Sequence, residues 1–161
     1  MMVGTNGLRV LLKVPTILNT INMHTIFKVF VDTNIFVAIR NKNDLTHQKA
    51  VELFNFLKAH KAKFYTSSDI ISESLTVLSV KMGKKIALEF LEEIGGNAKE
   101  IFIDEVIHRE TRNFFKKVKS KNISFVDCSS AVAMKRNNIK YIFSFDKDFK
   151  KLGVKLLEDV V

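Results

Sequence analysis

The stretch Phe27-Lys28-Val29-Phe30-Val31-Asp32-Thr33-Asn34 decides the fold prediction, because an apolar run ends there at an acid followed by two small polar residues. Branched and aromatic side chains suit a pleated, buried surface, so the run predicts a central strand. Asp32 then lies at the carboxyl end of that strand, and open α/β sheets bind their ligands at this edge. The residues that join Asp32 at the edge therefore define the candidate site.

The rest of the chain alternates between strand and helix patterns. Helical patterns cover 35–40, 46–60 with Thr46 as N-cap, 66–82 ended by Gly83, 84–94 closed by Gly95-Gly96, 105–119, and 124–137. Strand patterns cover 62–65, 100–103, 140–143 and 154–157. This alternation predicts βαβ units with right-handed crossovers, and hence a three-layer α/β/α sandwich around a central, mostly parallel sheet.

Composition limits the possible protein classes. A chain of 161 residues that is 47% hydrophobic is long enough for one domain with a real core. It has 14 Phe, 2 Tyr and no Trp, which indicates that most aromatic rings fill the core instead of stacking on bases. The single Cys128 excludes an internal disulfide and a cysteine-built zinc site, and it suits a reducing cytoplasm. The sequence has no run of about 18 apolar residues, so it predicts no membrane span.

The first 22 residues follow neither a helix nor a strand period, and Lys13 and Pro15 interrupt their apolar positions. They lack the cleavage site and apolar core of a signal peptide. We expect residues 1–22 to be a poorly packed extension or the product of a mis-assigned start, with Met23 as a possible true start. The domain would then span residues 23–161.

A formal net charge of +9 favours a polyanionic partner such as a nucleic acid, although the lysines could simply keep the surface hydrated. The cations considered as phosphate contacts are Lys81, Lys84, Lys85, Lys116, Lys117, Lys119, Lys135, Arg136 and Lys147.

Four acids come at positions that the predicted topology brings to one edge of the sheet. Asp32 and Asp146 follow strands, and Glu73 and Asp127 lie near the starts of helices. Each acid alone has a structural explanation as a helix cap, a turn residue or an exposed helix residue. Together, without cations, they would repel each other by about 4 kcal/mol for a pair at 4 Å near a surface. They should therefore have raised pKa values or bind metal.

The chemistry of these ligands indicates the metal. All four are oxygen donors without His or Cys, which favours Mg²⁺ or Mn²⁺ over zinc. An acidic metal pocket on a basic chain suits a metal-dependent nuclease, because the basic surface attracts phosphates and the ion polarises one of them.

The ordered motifs resemble the PIN-domain ribonucleases, in particular the VapC-type toxins, over about residues 26–158. The motifs are Val31-Asp32-Thr33-Asn34, the helix start from Thr66-Ser67-Ser68 to Glu73, the helix start at His47 to Ala50, Ser124-Phe125-Val126-Asp127, and Phe143-Ser144-Phe145-Asp146-Lys147-Asp148-Phe149. The resemblance implies endonucleolytic cleavage of RNA at a Mg²⁺ or Mn²⁺ site, a homodimer and a cognate antitoxin.

Residue by residue, the resemblance implies that Asp32, Glu73, Asp127 and Asp146 form the acidic quartet. It also implies that Thr33, Asn34 and Ser144 hydrogen-bond those acids, and Asp148 is interpreted as a turn or outer-shell residue. Cys128 departs from the alanine more common in the family, but it is small and apolar enough to pack at that position.

Other functions remain open at this point. Within the family, the chain could process rRNA or tRNA, or bind RNA without cleaving it. An aspartyl-phosphate phosphotransferase also places an acid after its first strand, but it needs a second Asp where this chain has Asn34.

Overall fold

The computed structural model describes residues 27–160. Its strands are β1 (Lys28–Val31), β2 (Lys63–Ser67), β3 (Lys99–Ile101), β4 (Tyr141–Phe143) and β5 (Lys155–Leu156). Its α-helices are α1 (Thr33–Arg40), α2 (His47–Ala59), α3 (Ser68–Met82), α4 (Lys84–Asn97), α5 (Glu105–Phe115) and α6 (Phe125–Arg136). Short 3₁₀ helices span Lys147–Leu152 and Leu157–Asp159. The predicted extension at residues 1–22 lies outside the described residues.

The five strands form one parallel sheet in the order β3-β2-β1-β4-β5. The prediction that β1 is central is confirmed, because β2 and β4 pair with its two sides. The chain moves outward from β1 to β3 and then returns to β4 on the other side of β1. The strand order therefore reverses between β1 and β4, and such a switch point opens a crevice at the carboxyl ends of the two strands.

Helices cover both faces of the sheet, and the predicted α/β/α sandwich is confirmed. Right-handed crossovers place α1 to α4 on one face and α5 with α6 on the other. The core between the layers is built from large side chains with no more than 1% exposure, among them Phe30, Phe90, Phe143 and Phe149. Most phenylalanines that the structure describes thus pack in or against the core.

Several helices begin at caps that the sequence indicates. Ser67 Oγ accepts the Ile70 amide of α3, and Ser124 with Asp127 forms a complete capping box at α6. Such caps satisfy amides that have no partner within the helix and contribute about 1 kcal/mol each. They also fix the starts of α3 and α6 at the carboxyl edge of the sheet.

Two predicted helix ends were wrong. α4 continues through Gly95 and Gly96 to Asn97, because neither glycine adopts positive φ and the Ala98 amide still bonds to the Ile94 carbonyl. α5 ends at Phe115, since the Lys117 and Val118 amides bond three residues back and form turns instead of a further helical turn.

One predicted helix start differs. α1 begins at Thr33 and not at Ile35, because Asp32 caps it. Thr46 is the N-cap residue of α2, as predicted, but its side chain does not bond to the helix amides. Instead, Asp44 Oδ1 accepts from both the amide and the hydroxyl of Thr46.

The short edge strands differ from prediction by one or two residues. β3 stops at Ile101 because the Ile103 amide donates to Ser68 Oγ, at 3.0 Å, and leaves the sheet ladder. β5 is limited to Lys155–Leu156, since the Val154 amide bonds to the Phe149 carbonyl and Leu157 begins a 3₁₀ turn.

None of the helices in residues 27–160 combines the length and the apolar character that crossing a membrane requires.

Candidate active site

Asp32 is the most enclosed acid at the carboxyl edge, with 6% of its surface exposed. Its Oδ1 accepts the Thr33 amide at 2.8 Å, which makes it the N-cap of α1. Its Oδ2 accepts from Asn34 Nδ2 and Ser144 Oγ, both at 2.7 Å. The capping explanation is therefore correct, but it accounts for one oxygen only. The other oxygen is held by polar groups from two segments that meet at the switch point.

Asn34 and Ser144 join the end of β1 to the end of β4. Asn34 Nδ2 also donates to Ser144 Oγ, at 2.8 Å, and Asn34 Oδ1 accepts the Phe145 amide at 3.3 Å. A phosphotransferase would need an acid at position 34, whereas this amide donates a hydrogen bond to Asp32. The structure thus gives Asn34 and Ser144 the supporting contacts with Asp32 that the resemblance implies.

Glu73 reaches the site from the second turn of α3. Its Oε2 accepts a short hydrogen bond from the Thr33 hydroxyl, and Ser74 Oγ lies 3.4 Å from that same hydroxyl. Thr33 therefore links the carboxylate of α3 to the residue that follows Asp32. Glu73 is half-buried, and it lines the cleft.

Asp127 lies in the first turn of α6 and is also half-buried. Its Oδ2 accepts the Ser124 amide at 2.7 Å, and its own amide donates to Ser124 Oγ at 3.0 Å. The next residue, Cys128, is fully buried, as its small apolar side chain allows. Behind it, Ser129 Oγ donates to Asp69 Oδ2 at 2.8 Å, which fastens α6 to the start of α3.

Asp146 follows β4 and caps the 3₁₀ helix after it. Its Oδ1 accepts the Asp148 amide at 2.8 Å, and its own amide donates to Ser144 Oγ at 3.0 Å. Asp148 is half-buried and forms an ion pair with Lys151. Asp148 thus occupies a turn beside the acids, as the interpretation from sequence has it.

The four acids line one cleft of about 580 Å³ at the carboxyl edge of the sheet. Its other lining residues are Thr33, Asn34, Val37, Asp44, Thr46, Val77, Lys81, Ser124 and Phe145. Six of these were not predicted as site residues: Val37, Asp44, Thr46, Val77, Ser124 and Phe145. Asp44 lies in the loop between α1 and α2, which reads only as a polar loop, and no strand end marks it.

Burial is the main influence on the pKa values of Asp32 and Asp127. It raises the pKa of Asp32 to about 7, even though the hydrogen bonds from Ser144 and Thr33 favour the charged form; the charges of Asp127 and Glu73 raise it further. Burial also raises the pKa of Asp127, and repulsion from Asp146 adds to this effect. The negative charges are thus crowded, and a cation between them would relieve the repulsion.

The donor chemistry fits a hard divalent cation, since every acid of the quartet offers oxygen. Within residues 27–160, however, no three His, Cys, Asp or Glu side chains converge as a ready-made cage for an ion. The reason lies in their present partners. Thr33 holds Glu73, Ser124 holds Asp127, and the Asp148 amide holds Asp146. Shared coordination requires these side chains to turn into the cleft or to bind through water.

The candidate phosphate contacts fall into different regions. Only Lys81 lines the cleft. Lys117, Lys135 and Arg136 line a separate groove of about 870 Å³ formed by α5, the end of α6 and the starts of β4 and β5. A helix of 12 residues is about 18 Å long, so the end of α6 is remote from Asp127 near its start. These three cations therefore line a groove that is separate from the cleft of the acids.

Comparison with known proteins identifies the family. The sequence model of the PIN domain matches residues 29–155. Ribonuclease VapC1 of Aquifex aeolicus is 32% identical over 135 residues, which cover 81% of this chain and 89% of the relative. The 23S rRNA-specific endonuclease VapC20 of Mycobacterium tuberculosis is 24% identical over 135 residues, which cover 78% of this chain and 94% of the relative.

Solved structures share the fold. The crystal structure of VapC20 from Mycobacterium tuberculosis, described as a sarcin-ricin loop cleaving toxin, has a TM-score of 0.68 at 23% identity and covers 78% of this chain and 95% of its own. A chain of VapBC2 from Rickettsia felis, bound to a DNA fragment from their promoter, has a TM-score of 0.56 at 19% identity and covers 81% of this chain and 97% of its own.

The family match spans most of the chain and includes Asp32, Glu73, Asp127 and Asp146. The relative that is 32% identical is a VapC ribonuclease, and it matches along most of its own length. The chain therefore belongs to the PIN-domain family, among the VapC-type ribonucleases.

Proposed function

We propose that this protein is a divalent-metal-dependent endoribonuclease toxin that hydrolyses RNA phosphodiester bonds in the cleft formed by Asp32, Glu73, Asp127 and Asp146. The observation that carries the proposal is the convergence of four carboxylates from four segments on one cleft of a strongly basic chain. Membership among the VapC-type ribonucleases supports the reaction class.

Asp32, Asp127 and Asp146 would hold a Mg²⁺ or Mn²⁺ ion, with Glu73 binding it directly or through water. A bound ion of this kind activates a coordinated water and stabilises charge on the scissile phosphate. Asn34 and Ser144 orient Asp32, and Thr33 orients Glu73, through the hydrogen bonds described above. Glu73 lines the cleft, where its carboxylate can accept a proton from water.

The partners follow from the same reasoning. The +9 charge favours RNA as the substrate. The similarity to a VapBC2 chain supports a second, cognate protein that inhibits the toxin. We propose a homodimer acting in the cytoplasm, where the reduced Cys128 and an RNA substrate are both expected.

Incubation of the purified protein with single-stranded RNA tests the proposal. We expect endonucleolytic fragments in Mg²⁺ or Mn²⁺, none in EDTA, and recovery when excess Mg²⁺ is added back. Intact RNA under all three conditions would show a non-catalytic RNA-binding protein, and equal cleavage in EDTA would exclude the metal-dependent mechanism.

Lys81 should contribute to RNA affinity, since it is the candidate cation that lines the cleft. Measured in EDTA, log affinity should fall linearly with log salt, with a slope of about −0.7 for each phosphate contact. Lys81→Ala should reduce the magnitude of that slope by about 0.7. Lys155→Ala, which removes an exposed lysine from the remote groove, is the matched control. Equal salt slopes for the Lys81→Ala and Lys155→Ala variants would show that Lys81 does not contact the RNA.

A further inference from the structure

Three aromatic side chains pack together outside the core, and we call them the aromatic cluster: His108 and Phe115 of α5 and Phe125 of α6. The Phe115 and Phe125 ring centroids are 5.7 Å apart with nearly perpendicular planes, and the His108 and Phe125 centroids are 5.3 Å apart. Phe115 is 42% exposed and His108 is also exposed. The cluster therefore departs from the expectation that aromatic residues serve the core.

The cluster lies on the active-site side of α5. His108 and Phe115, two turns apart on α5, both pack on Phe125 at the start of α6. Glu110, on another side of α5, forms an ion pair with Arg136 at the far end of α6. α5 therefore crosses α6, and its His108 side faces the end of α6 that carries the catalytic acid Asp127.

The cluster is linked to the cleft through the start of α6. Ser124 lines the cleft and precedes Phe125 directly, and Asp127 follows two residues later. An RNA strand with its scissile phosphate near Asp127 would extend over Ser124, at the N-terminus of α6, toward the aromatic rings.

Cations surround the cluster. Arg112 lies between His108 and Phe115 at helical spacing, and Lys116, Lys119 and Lys121 follow in the loop to α6. All four are exposed, and within residues 27–160 no carboxylate lies at ion-pair distance from any of them. A single exposed ring needs no explanation, but rings interleaved with free cations form the combination that binds single-stranded nucleic acid.

We propose that the aromatic cluster is a nucleobase-stacking subsite for the RNA substrate on one side of the scissile phosphate. Unpaired bases stack on Phe115 and His108, and Arg112, Lys116 and Lys119 contact the flanking phosphates. The subsite rests on the proposed ribonuclease function and assigns the aromatic cluster of α5 and α6 to an unpaired base beside the cut.

A double-mutant cycle between protein and RNA tests the subsite. A short fluorescein-labelled single-stranded RNA is titrated with the full-length protein in EDTA, and a set of otherwise identical RNAs carries one abasic nucleotide at successive positions. Phe115→Leu keeps an apolar side chain but removes the ring. Phe102→Leu is the matched control, because Phe102 is 71% exposed and outside the cluster.

We expect Phe115→Leu to weaken binding of the intact RNA about five- to tenfold, in the range for loss of one stacked base. Phe102→Leu should leave the affinity within about twofold. At one abasic position the wild type should lose affinity by the same factor. The Phe115→Leu variant should lose no further affinity at that position, because the ring that stacks on the missing base is already absent. His108→Ala should show the same pattern at that or the neighbouring position.

Equal RNA affinities of the Phe115→Leu and Phe102→Leu variants would overturn the subsite. It would also be overturned if, at every abasic position, the affinity loss from Phe115→Leu and the loss from the missing base simply multiplied. Cleavage in Mg²⁺ is measured separately on the same proteins. Normal cleavage without coupling between Phe115 and any abasic position would contradict the subsite but support the ribonuclease function. The coupling without any cleavage would support the RNA-stacking surface and contradict the nuclease function.

Discussion

Asp32→Asn should reduce the rate of RNA cleavage by about a thousandfold or more while the protein stays folded. The substitution preserves the shape of the side chain and one acceptor oxygen, which can still cap α1. It removes the negative charge nearest to the centre of the cleft. Loss of an ion's charge stabilisation amounts to several kcal/mol, and about 4 kcal/mol corresponds to a factor of roughly a thousand.

Single-turnover cleavage of a labelled RNA in Mg²⁺ measures this effect, and circular dichroism verifies the fold. Asp159→Asn is the matched control, because Asp159 is an exposed acid that pairs with Lys150 away from the cleft. We expect the control to retain wild-type activity. A wild-type rate for Asp32→Asn would contradict the assignment of Asp32 as the central ligand.

In EDTA at about pH 8, the same Asp32→Asn variant should be more stable than the wild type. Burial raises the pKa of Asp32 to about 7 in the folded protein, from 3.8 in an unperturbed carboxyl group. Above about pH 7 the folded protein therefore holds a charge that costs up to about 4 kcal/mol, at about 1.4 kcal/mol for each pKa unit. The amide avoids this cost but loses the hydrogen bond from Asn34, about 1–1.5 kcal/mol, so we expect a net gain of about 2.5–3 kcal/mol.

The pH dependence has a definite sign. Because the folded pKa of this acid lies above the unfolded one, its destabilising effect is complete above pH 7 and disappears as the pH falls toward 3.8. The advantage of Asp32→Asn should therefore shrink by about 2–3 kcal/mol between about pH 8 and pH 5.

Urea unfolding of both proteins at the two pH values gives the free energies of unfolding. Millimolar Mg²⁺ should stabilise the wild type at pH 8 and have little effect on the variant, since only the wild type has the full set of ligands. A variant that is less stable than the wild type at pH 8 in EDTA would show that the charge of Asp32 is not a cost to the folded protein.

Much of the fold could be predicted from local sequence. The buried run Lys28–Val31 and the capping box at Ser124 fix a strand and a helix start through side chains close in sequence. Alternation of such segments, together with the handedness of crossovers, is sufficient to bring Asp32, Glu73, Asp127 and Asp146 to one edge. The resemblance added their roles in catalysis.

The remaining features depend on contacts between distant segments. The end of β3 is set by a hydrogen bond from Ile103 to Ser68, 35 residues away. Asp44 reaches the cleft because α1 and α2 pack together, and Lys117 is kept away from it because α5 crosses α6. The local sequence does not show how these helices pack, so the position of Asp44 in the cleft and of Lys117 outside it could not be recognised from sequence.

We expect the four carboxylates at the carboxyl edge of the sheet to bind one or more divalent cations together. A crystal soaked in Mn²⁺ tests this expectation through the anomalous difference map at a wavelength where manganese scatters anomalously. We predict a strong peak in the cleft, bonded to Asp32 and to at least one of Asp127 and Asp146, which disappears in crystals of Asp32→Asn. A cleft without a peak at saturating Mn²⁺, or a peak that persists unchanged in the variant, would contradict the account.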